Sequence, residues 1–340
     1  MAKKKSGKST QFLKSKAAVP VIVFAALLCV LLTLSSLSAL PFAFPTWADA
    51  YEIITGEPLE NAPTAAPAEI PEEAQQKNPP PEILGDKQMS VYIIDVGQGS
   101  STLITTGTHS ILIDAGENGQ GQAVLDVLDA LGIDRLDYMI GTHPHSDHIG
   151  GMDEVLKKIA VDTVIMPKIP DKIVPTTKTY EDVLTILAEK NIKTIAAAPG
   201  KSYAVGEMKL DIFGPAIEAD NLNDTSVISK ITFGKIRVLV TGDAEKKAER
   251  AAIKAGYNLS ADIYVAGHHG STTSSCKELL NEVSPKFAAI SCGLDNDYGH
   301  PHTEILQAFE DRKVTVHRTD LDGIITYTTD GANITVKTGR

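Results

Sequence analysis

Several things are scarce in this sequence, and each scarcity excludes a class of protein. Three cysteines in 340 residues cannot build the disulfide framework of a small secreted domain. Aromatic residues make up only 5%, with a single tryptophan, Trp47, so a ligand cage of several stacked rings has few sources. Glycine and proline, 26 and 18 residues, are too few for a collagen-like or wholly disordered chain. One long uncharged apolar run exists, residues 17–40, and a multi-span membrane protein needs more. Excess positive charge is also missing: the net charge is −11, which is not the footprint of an avid duplex-DNA binder. What remains is 43% apolar and 22% charged, an ordinary globular balance at a length that suits one large domain or two small ones.

The charge is unevenly spread. Residues 1–50 carry +5, residues 51–88 carry −6 and residues 89–340 carry −10. The 17–40 run is long enough to span a bilayer as a helix. The lysines of residues 1–16 precede it, which predicts a cytoplasmic N-terminus and the rest of the chain outside. An uncleaved anchor is the expectation; cleavage at Ala48-Asp49-Ala50 would instead give a secreted protein. Residues 41–88 form a linker rich in Pro and Glu, with too little apolar surface to offset the entropy of ordering. From Met89 to Arg340, strand-like runs alternate with helical spacing, and both ends of this region are β-rich.

The strongest chemical signal is Thr142-His143-Pro144-His145-Ser146-Asp147-His148-Ile149-Gly150-Gly151. It follows the predicted strand Leu136–Gly141 and concentrates three imidazoles and a carboxylate in six residues. That donor set suits zinc, manganese or iron. Three later segments put further donors at predicted strand ends: Thr241-Gly242-Asp243, Gly267-His268-His269-Gly270-Ser271 and Tyr298-Gly299-His300-Pro301-His302. In α/β proteins, sites assemble where strands end at their carboxyl side, so these segments predict one convergent centre. Cys276 and Cys292 either pair in an oxidising compartment or remain buried thiols; their spacing does not decide between the two.

The pattern HPHSDHIGG, then TGD, then HHGS resembles the metallo-β-lactamase superfamily. Beyond it, IIDVGQGSSTLI, HSILIDAG, YGHPH and HRTDLDGIITYTTDG resemble the hydrolase domain of the ComEC competence proteins. The similarity covers about residues 89–340. It implies an αββα sandwich with two divalent metal ions, Zn or Mn, at one edge. His143 and His145 would hold the first metal, Asp147, His148 and His269 the second, and Asp243 would bridge them. Asp147, His268, His300 and His302 would serve catalysis, with His268 the alternative to His269 as ligand. The superfamily usually has another His between the first motif and the bridging Asp, and no His stands between His148 and His268. The first metal would then have two imidazoles and a shared carboxylate.

The expected function is a membrane-anchored extracellular metal-dependent hydrolase, a phosphodiesterase or nuclease using a metal-activated hydroxide. Its expected partners are a phosphodiester substrate, with DNA a candidate, and the membrane through residues 17–40. A phosphorylcholine or teichoic-acid-type esterase is the alternative, and a non-catalytic binding module a third. A nuclease would need basic residues along a groove for a polyanion, and Lys230, Lys235, Arg237 and Lys277 stand near the motifs in sequence.

Overall fold

The computed structural model describes residues 87–340. The basic segment, the 17–40 run, Trp47 and all of the linker but its last two residues lie outside the described residues. Among the described residues, no helix is long and apolar enough to cross a membrane.

Fifteen strands among the described residues form two sheets. The first has eight strands: β1 (Met89–Ile93), β2 (Thr102–Thr105), β3 (Ser110–Ile113), β4 (Arg135–Ile140), β5 (Ala160–Met166), β6 (Lys193–Ala196), β14 (Ile325–Thr329) and β15 (Ile334–Thr338). They run in the order β15-β14-β1-β2-β3-β4-β5-β6. The second has seven: β7 (Ser202–Val205), β8 (Met208–Ile212), β9 (Ser229–Phe233), β10 (Ile236–Val240), β11 (Ile263–Val265), β12 (Phe287–Ile290) and β13 (Thr315–Arg318), in the order β13-β12-β11-β10-β9-β8-β7.

Side chains alternate across a strand, and here both faces are buried. On β1, Val91 and Ile93 point into the core between the sheets, where they join Ile212, Ile231, Val238 and Val265. Tyr92 and Ile94 point the other way and pack with Val124, Leu128, Met152 and Val155 from helices Gly121–Ala130 and Met152–Lys158. The second sheet repeats this arrangement. Leu239, Tyr264 and Ala288 pack outward against Ala248, Leu280 and Phe309 of helices Lys246–Lys254, Lys277–Val283 and Thr303–Glu310. The result is the αββα order expected from the sequence. Each such large apolar side chain contributes roughly 1.5–3 kcal/mol by leaving water. Double-sided burial also explains why the central strands read as near-continuous apolar runs.

Three strands escape the sequence reading: β6, β7 and β8. Strands β6 and β7 close the edges of their sheets, and most of their side chains are partly exposed. Their apolar pattern is therefore weak, and lysine and serine blunt the edges against further pairing. Cys276 and Cys292 are both free and buried. The Cys276 sulfur accepts from the Leu279 amide, and the Cys292 thiol donates to Asp320.

Candidate metal centre

Strands β3 and β4 run parallel, as do β10, β11 and β12, so their carboxyl ends align within each sheet. Asp114 follows β3, Thr142 and His143 follow β4, Asp243 follows β10, and His268 and His269 follow β11. The sheets meet here through the Val227 amide, which donates to the Thr142 carbonyl at 2.9 Å. The loop after β1 packs on the ligand loop by backbone alone: the Ser100 amide donates to the Asp147 carbonyl at 2.9 Å. A Cβ at Gly99 would stand 2.6 Å from that same oxygen, so only glycine permits the approach.

Asp114 anchors the first motif from beneath. It is fully buried, with its backbone in the left-handed region at φ 60. Its carboxylate accepts from the Thr142 amide at 2.8 Å, from the Thr142 hydroxyl at 2.8 Å and from His148 Nδ1 at 2.7 Å. Because the Thr142 hydroxyl donates to Asp114, it is left to accept from His143 Nδ1 at 3.2 Å. Both rings are thereby held as Nδ1–H tautomers with Nε2 aimed inward, the outer-layer arrangement of metal-ligating histidines.

His269 obeys the same rule, with Nδ1 donating to the Ser291 carbonyl at 2.8 Å. His268 and His269 both sit at φ 53. Two successive non-glycine residues in this region cost about 1–3 kcal/mol each, a strain that persists only where the surroundings over-determine it.

The inward atoms converge. His148 Nε2 lies 3.1 Å from Asp243 Oδ1, and His269 Nε2 lies 3.2 Å from Asp147 Oδ2. One ligand atom from each of Asp147, His148, Asp243 and His269 lies within 4.8 Å of the others. Beside them, His143 Nε2 stands 3.9 Å from Asp243 Oδ2 and 2.9 Å from His145 Nδ1. The Asp243 carboxylate thus has one oxygen toward His148 and the other toward His143.

Electrostatics follow from this packing. Burial opposes charge on Asp243, but the His148 and His269 imidazoles outweigh it and hold the carboxyl well below its ordinary range. Burial likewise opposes charge on His148, and Asp243 with Asp114 reverses the balance and raises its pKa. Burial and then the His148 charge push His143 down. His300 is lowered to about 4, first by burial and then by His269 and His268.

The donors fit divalent cations. His148 Nε2 and His269 Nε2 are buried and hydrogen-bonded to nothing, although carboxylate oxygens are close. An orphaned buried nitrogen is costly, and here both Nε2 atoms face a common space, where a cation can take the place of a proton. Two donors about 2.0–2.2 Å from one ion stand roughly 3–4 Å apart, which matches the spacings above. These atoms lie under a cleft of about 520 Å³ lined by His145, Asp147, Asp243, His268, His269, Tyr298 and His300, among others.

The metallo-β-lactamase superfamily profile matches residues 94–293. The chain belongs to the metallo-β-lactamase superfamily. Within it, the chain is similar to the ComEC-type competence proteins. It is 32% identical to ComE operon protein 3 of Bacillus subtilis over 256 residues, 70% of this chain and 32% of that one. It is 30% identical to competence protein ComA of Neisseria gonorrhoeae over 252 residues, 73% of this chain and 33% of that one. The chain thus spans about a third of the length of these curated relatives. Among solved structures, the metallo-β-lactamase fold protein YhfI from Bacillus subtilis aligns at TM-score 0.47 with 16% identity, over 68% of this chain and 96% of that one.

The structure brings together all six residues expected to hold metal in this metallo-β-lactamase domain: His143, His145, Asp147, His148, Asp243 and His269. It places His268 and His300 on the cleft. His302 requires a correction, because it does not line the cleft. Its Nδ1 accepts from the Thr272 amide at 2.9 Å, so it supports the loop that carries His268 and His269. The four basic residues near the motifs do not line the cleft either. Lys230 is buried, with its ammonium on the Asn258 carbonyl and over the Phe213 ring. Arg237 pairs with Asp262 at 3.4 Å, and Lys235 sits in the β9–β10 turn, at the far end of β10 from Asp243. Lys277 lines a different cavity, with Thr303 and Arg312. Among the described residues lining the cleft there is no lysine or arginine.

Sequence reasoning gave no role to several residues that organise the centre: Asp114, Thr142, Ser226, Tyr264 and Glu249. The Ser226 hydroxyl accepts from the Asp243 amide at 3.0 Å. The Tyr264 hydroxyl accepts from the Gly267 amide at 3.1 Å. Glu249, wholly buried, accepts from the Ser275 and Cys276 amides at 2.6 and 2.8 Å. The readable signal was an acidic residue at the end of a predicted strand, which marks Asp114 but not the others.

Proposed function

We propose that this chain is a metal-dependent phosphodiesterase that cleaves nucleic acid outside the cell, held at the membrane by residues 17–40. The observation that carries the reading is the Asp243 carboxylate, which has one oxygen toward His148 and the other toward His143. That arrangement suits two cations side by side. Divalent ions held there supply Lewis acidity at a phosphoryl oxygen and lower the pKa of water.

The protein's own groups account for the rest. Asp243 and Asp147 stay ionised despite burial, because the surrounding imidazoles outweigh desolvation. His300 stays neutral near pH 7, and its Nδ1 is buried without a partner, so it is free to hydrogen-bond a phosphoryl or leaving oxygen. Tyr298 supports the choice of nucleic acid. Its ring is 67% exposed beside the cleft and lies nearly parallel to His300, at 5.6 Å and 19°. An open aromatic face next to the reacting centre is a platform for a base. The relatives named for competence point the same way.

One observation favours the second reading, a phosphorylcholine or teichoic-acid-type esterase. The lining residues lack lysine and arginine, which suits a small diester. Against it, Tyr298 is the one Phe, Tyr or Trp among those lining residues, and a choline cage needs several such faces. The test is a panel of single-stranded DNA, duplex DNA, RNA and p-nitrophenyl phosphorylcholine, with Mn²⁺ and Zn²⁺, across a salt series. The proposal expects cleavage of single strands with a shallow salt dependence, since metals rather than basic side chains meet the phosphate. Turnover of the choline ester with no nucleic-acid cleavage under either metal would overturn it. Protease added to intact cells should cut within residues 41–88; protection until lysis would contradict the proposed orientation.

A further inference from the structure

The first metal's ligand set is short by one imidazole when read from the sequence, since no His separates His148 from His268. We infer that His268 supplies it: its Nε2 lies 3.5 Å from Asp243 Oδ2, the same oxygen that faces His143 Nε2 at 3.9 Å. The inference rests on the proposed function only in placing metal at this centre.

Three observations support it independently of the distance. First, the ring is anchored as the other ligand rings are. His268 Nδ1 meets Thr273 Oγ1 at 2.8 Å, just as His148 meets Asp114 and His269 meets Ser291. A proton fixed on Nδ1 leaves the Nε2 lone pair for a cation. Second, the consecutive left-handed conformation at 268 and 269 is strain with a purpose under this assignment. It lets neighbouring imidazoles enter the centre from different positions: His269 Nε2 lies nearer Asp147 Oδ2, at 3.2 Å, than Asp243 Oδ2, at 3.9 Å, and His268 Nε2 lies 3.5 Å from that Asp243 oxygen. The rings stand 6.3 Å apart at 70°, so they do not compete for one position. Third, the backbone is pinned to the bridging loop, with the His268 amide donating to the Gly242 carbonyl at 3.1 Å. The residue before Asp243 therefore sets where His268 sits.

The assignment makes His268 a ligand of the first metal in place of a substrate contact. It also removes the deficit at the first metal: His143, His145 and His268 give three imidazoles beside the shared carboxylate, enough for a four-coordinate divalent ion.

The test uses the purified full chain as wild type, His268→Ala and Thr273→Val, each loaded with Mn²⁺ and dialysed. Metal per chain is measured by mass spectrometry, and electron paramagnetic resonance distinguishes coupled ions from isolated ones. The wild type should hold two ions with a coupled spectrum. His268→Ala should hold one, with the spectrum of an isolated ion. Thr273→Val keeps the imidazole and loses only its anchor, so it should fold and bind the weaker ion about 10–100-fold less tightly. It decides the matter if the alanine variant fails to fold. Two coupled ions of unchanged affinity in both variants would overturn the inference. A rise in KM without metal loss would assign His268 to the substrate, and a wild type holding a single ion would also sink it. Because the readout is metal content, a failure to cleave phosphodiesters would refute the proposed function and leave this result standing.

Discussion

Asp114→Asn separates folding from metal binding at this centre more cleanly than a change to any ligand. The wild-type carboxylate accepts three hydrogen bonds from buried groups: the Thr142 amide, the Thr142 hydroxyl and His148 Nδ1. Alanine would orphan all three donors at about 1–3 kcal/mol each. The total, roughly 3–9 kcal/mol, rivals the stability of a whole domain at about 5–15 kcal/mol, so alanine is uninformative. Asparagine tolerates the left-handed backbone that Asp114 adopts. Its carbonyl oxygen still accepts from the Thr142 amide, and the Thr142 hydroxyl can rotate to accept from the new NH₂.

His148 has no such freedom. Facing a donor, its Nδ1 must give up its proton, and the proton moves to Nε2, the atom aimed at Asp243. The ligand atom is then blocked. The expected stability cost is about 1–2 kcal/mol, for one charge-assisted hydrogen bond weakened. The expected loss of metal affinity is about 10–100-fold. Calorimetric titration with Zn²⁺ or Mn²⁺ measures the second, and thermal melts in a chelator measure the first. Metal should raise the melting temperature of the wild type by linkage and that of Asp114→Asn by much less. Wild-type metal affinity in Asp114→Asn, with normal folding, would refute the tautomer argument.

Other consequences follow. His143→Ala with His145→Ala should remove one metal and most hydrolysis, and full metal content with full activity would sink the site assignment. Glu249 has its pKa raised by burial to about 7 from an ordinary 4.5, despite the opposing Cys276 and Ser275 amides. A folded pKa above the unfolded one gives stability that is complete below about pH 4.5 and lost as pH rises through about 7, on the order of 3 kcal/mol. Melts in chelator between pH 5 and 8 should therefore fall more steeply for wild type than for Glu249→Gln, and equal slopes would contradict this. Tyr298→Ala should raise KM for single-stranded DNA roughly 5–150-fold, the worth of one stacked base, while Tyr298→Phe should not. An unchanged KM in the alanine variant would remove the stacking role.

How much of this was legible beforehand depends on the kind of interaction. The histidines and aspartates of the first motif, Asp243 and the HHGS pair could be read because their side-chain chemistry is rare and clustered, and because each follows an apolar run that reads as a strand. The apolar runs of β1, β4 and β10 were readable as strands. Edge strands β6 and β7 were not, since partial exposure dilutes their pattern. Asp114 and Thr142 were half-legible: the strand end was plain, but not that one carboxylate orients two histidines. His302 and the basic residues show the limit. Proximity in sequence to a motif says nothing of direction, and Lys230 turns away from the cleft to the Asn258 carbonyl and the Phe213 ring. The left-handed backbone at His268, on which the inferred ligand role depends, is not revealed by spacing.

The central claim is that this metal centre hydrolyses phosphodiesters, and one titration tests it most directly. Metal-free full chain is titrated with Mn²⁺ while hydrolysis of bis(p-nitrophenyl) phosphate and bound metal are recorded together, for wild type and Asp243→Asn. Turnover should be absent without metal, rise as the second equivalent binds, and be lost in Asp243→Asn, which removes the carboxylate between the two halves of the centre. Turnover that is independent of bound metal, or undiminished in Asp243→Asn, would contradict the account.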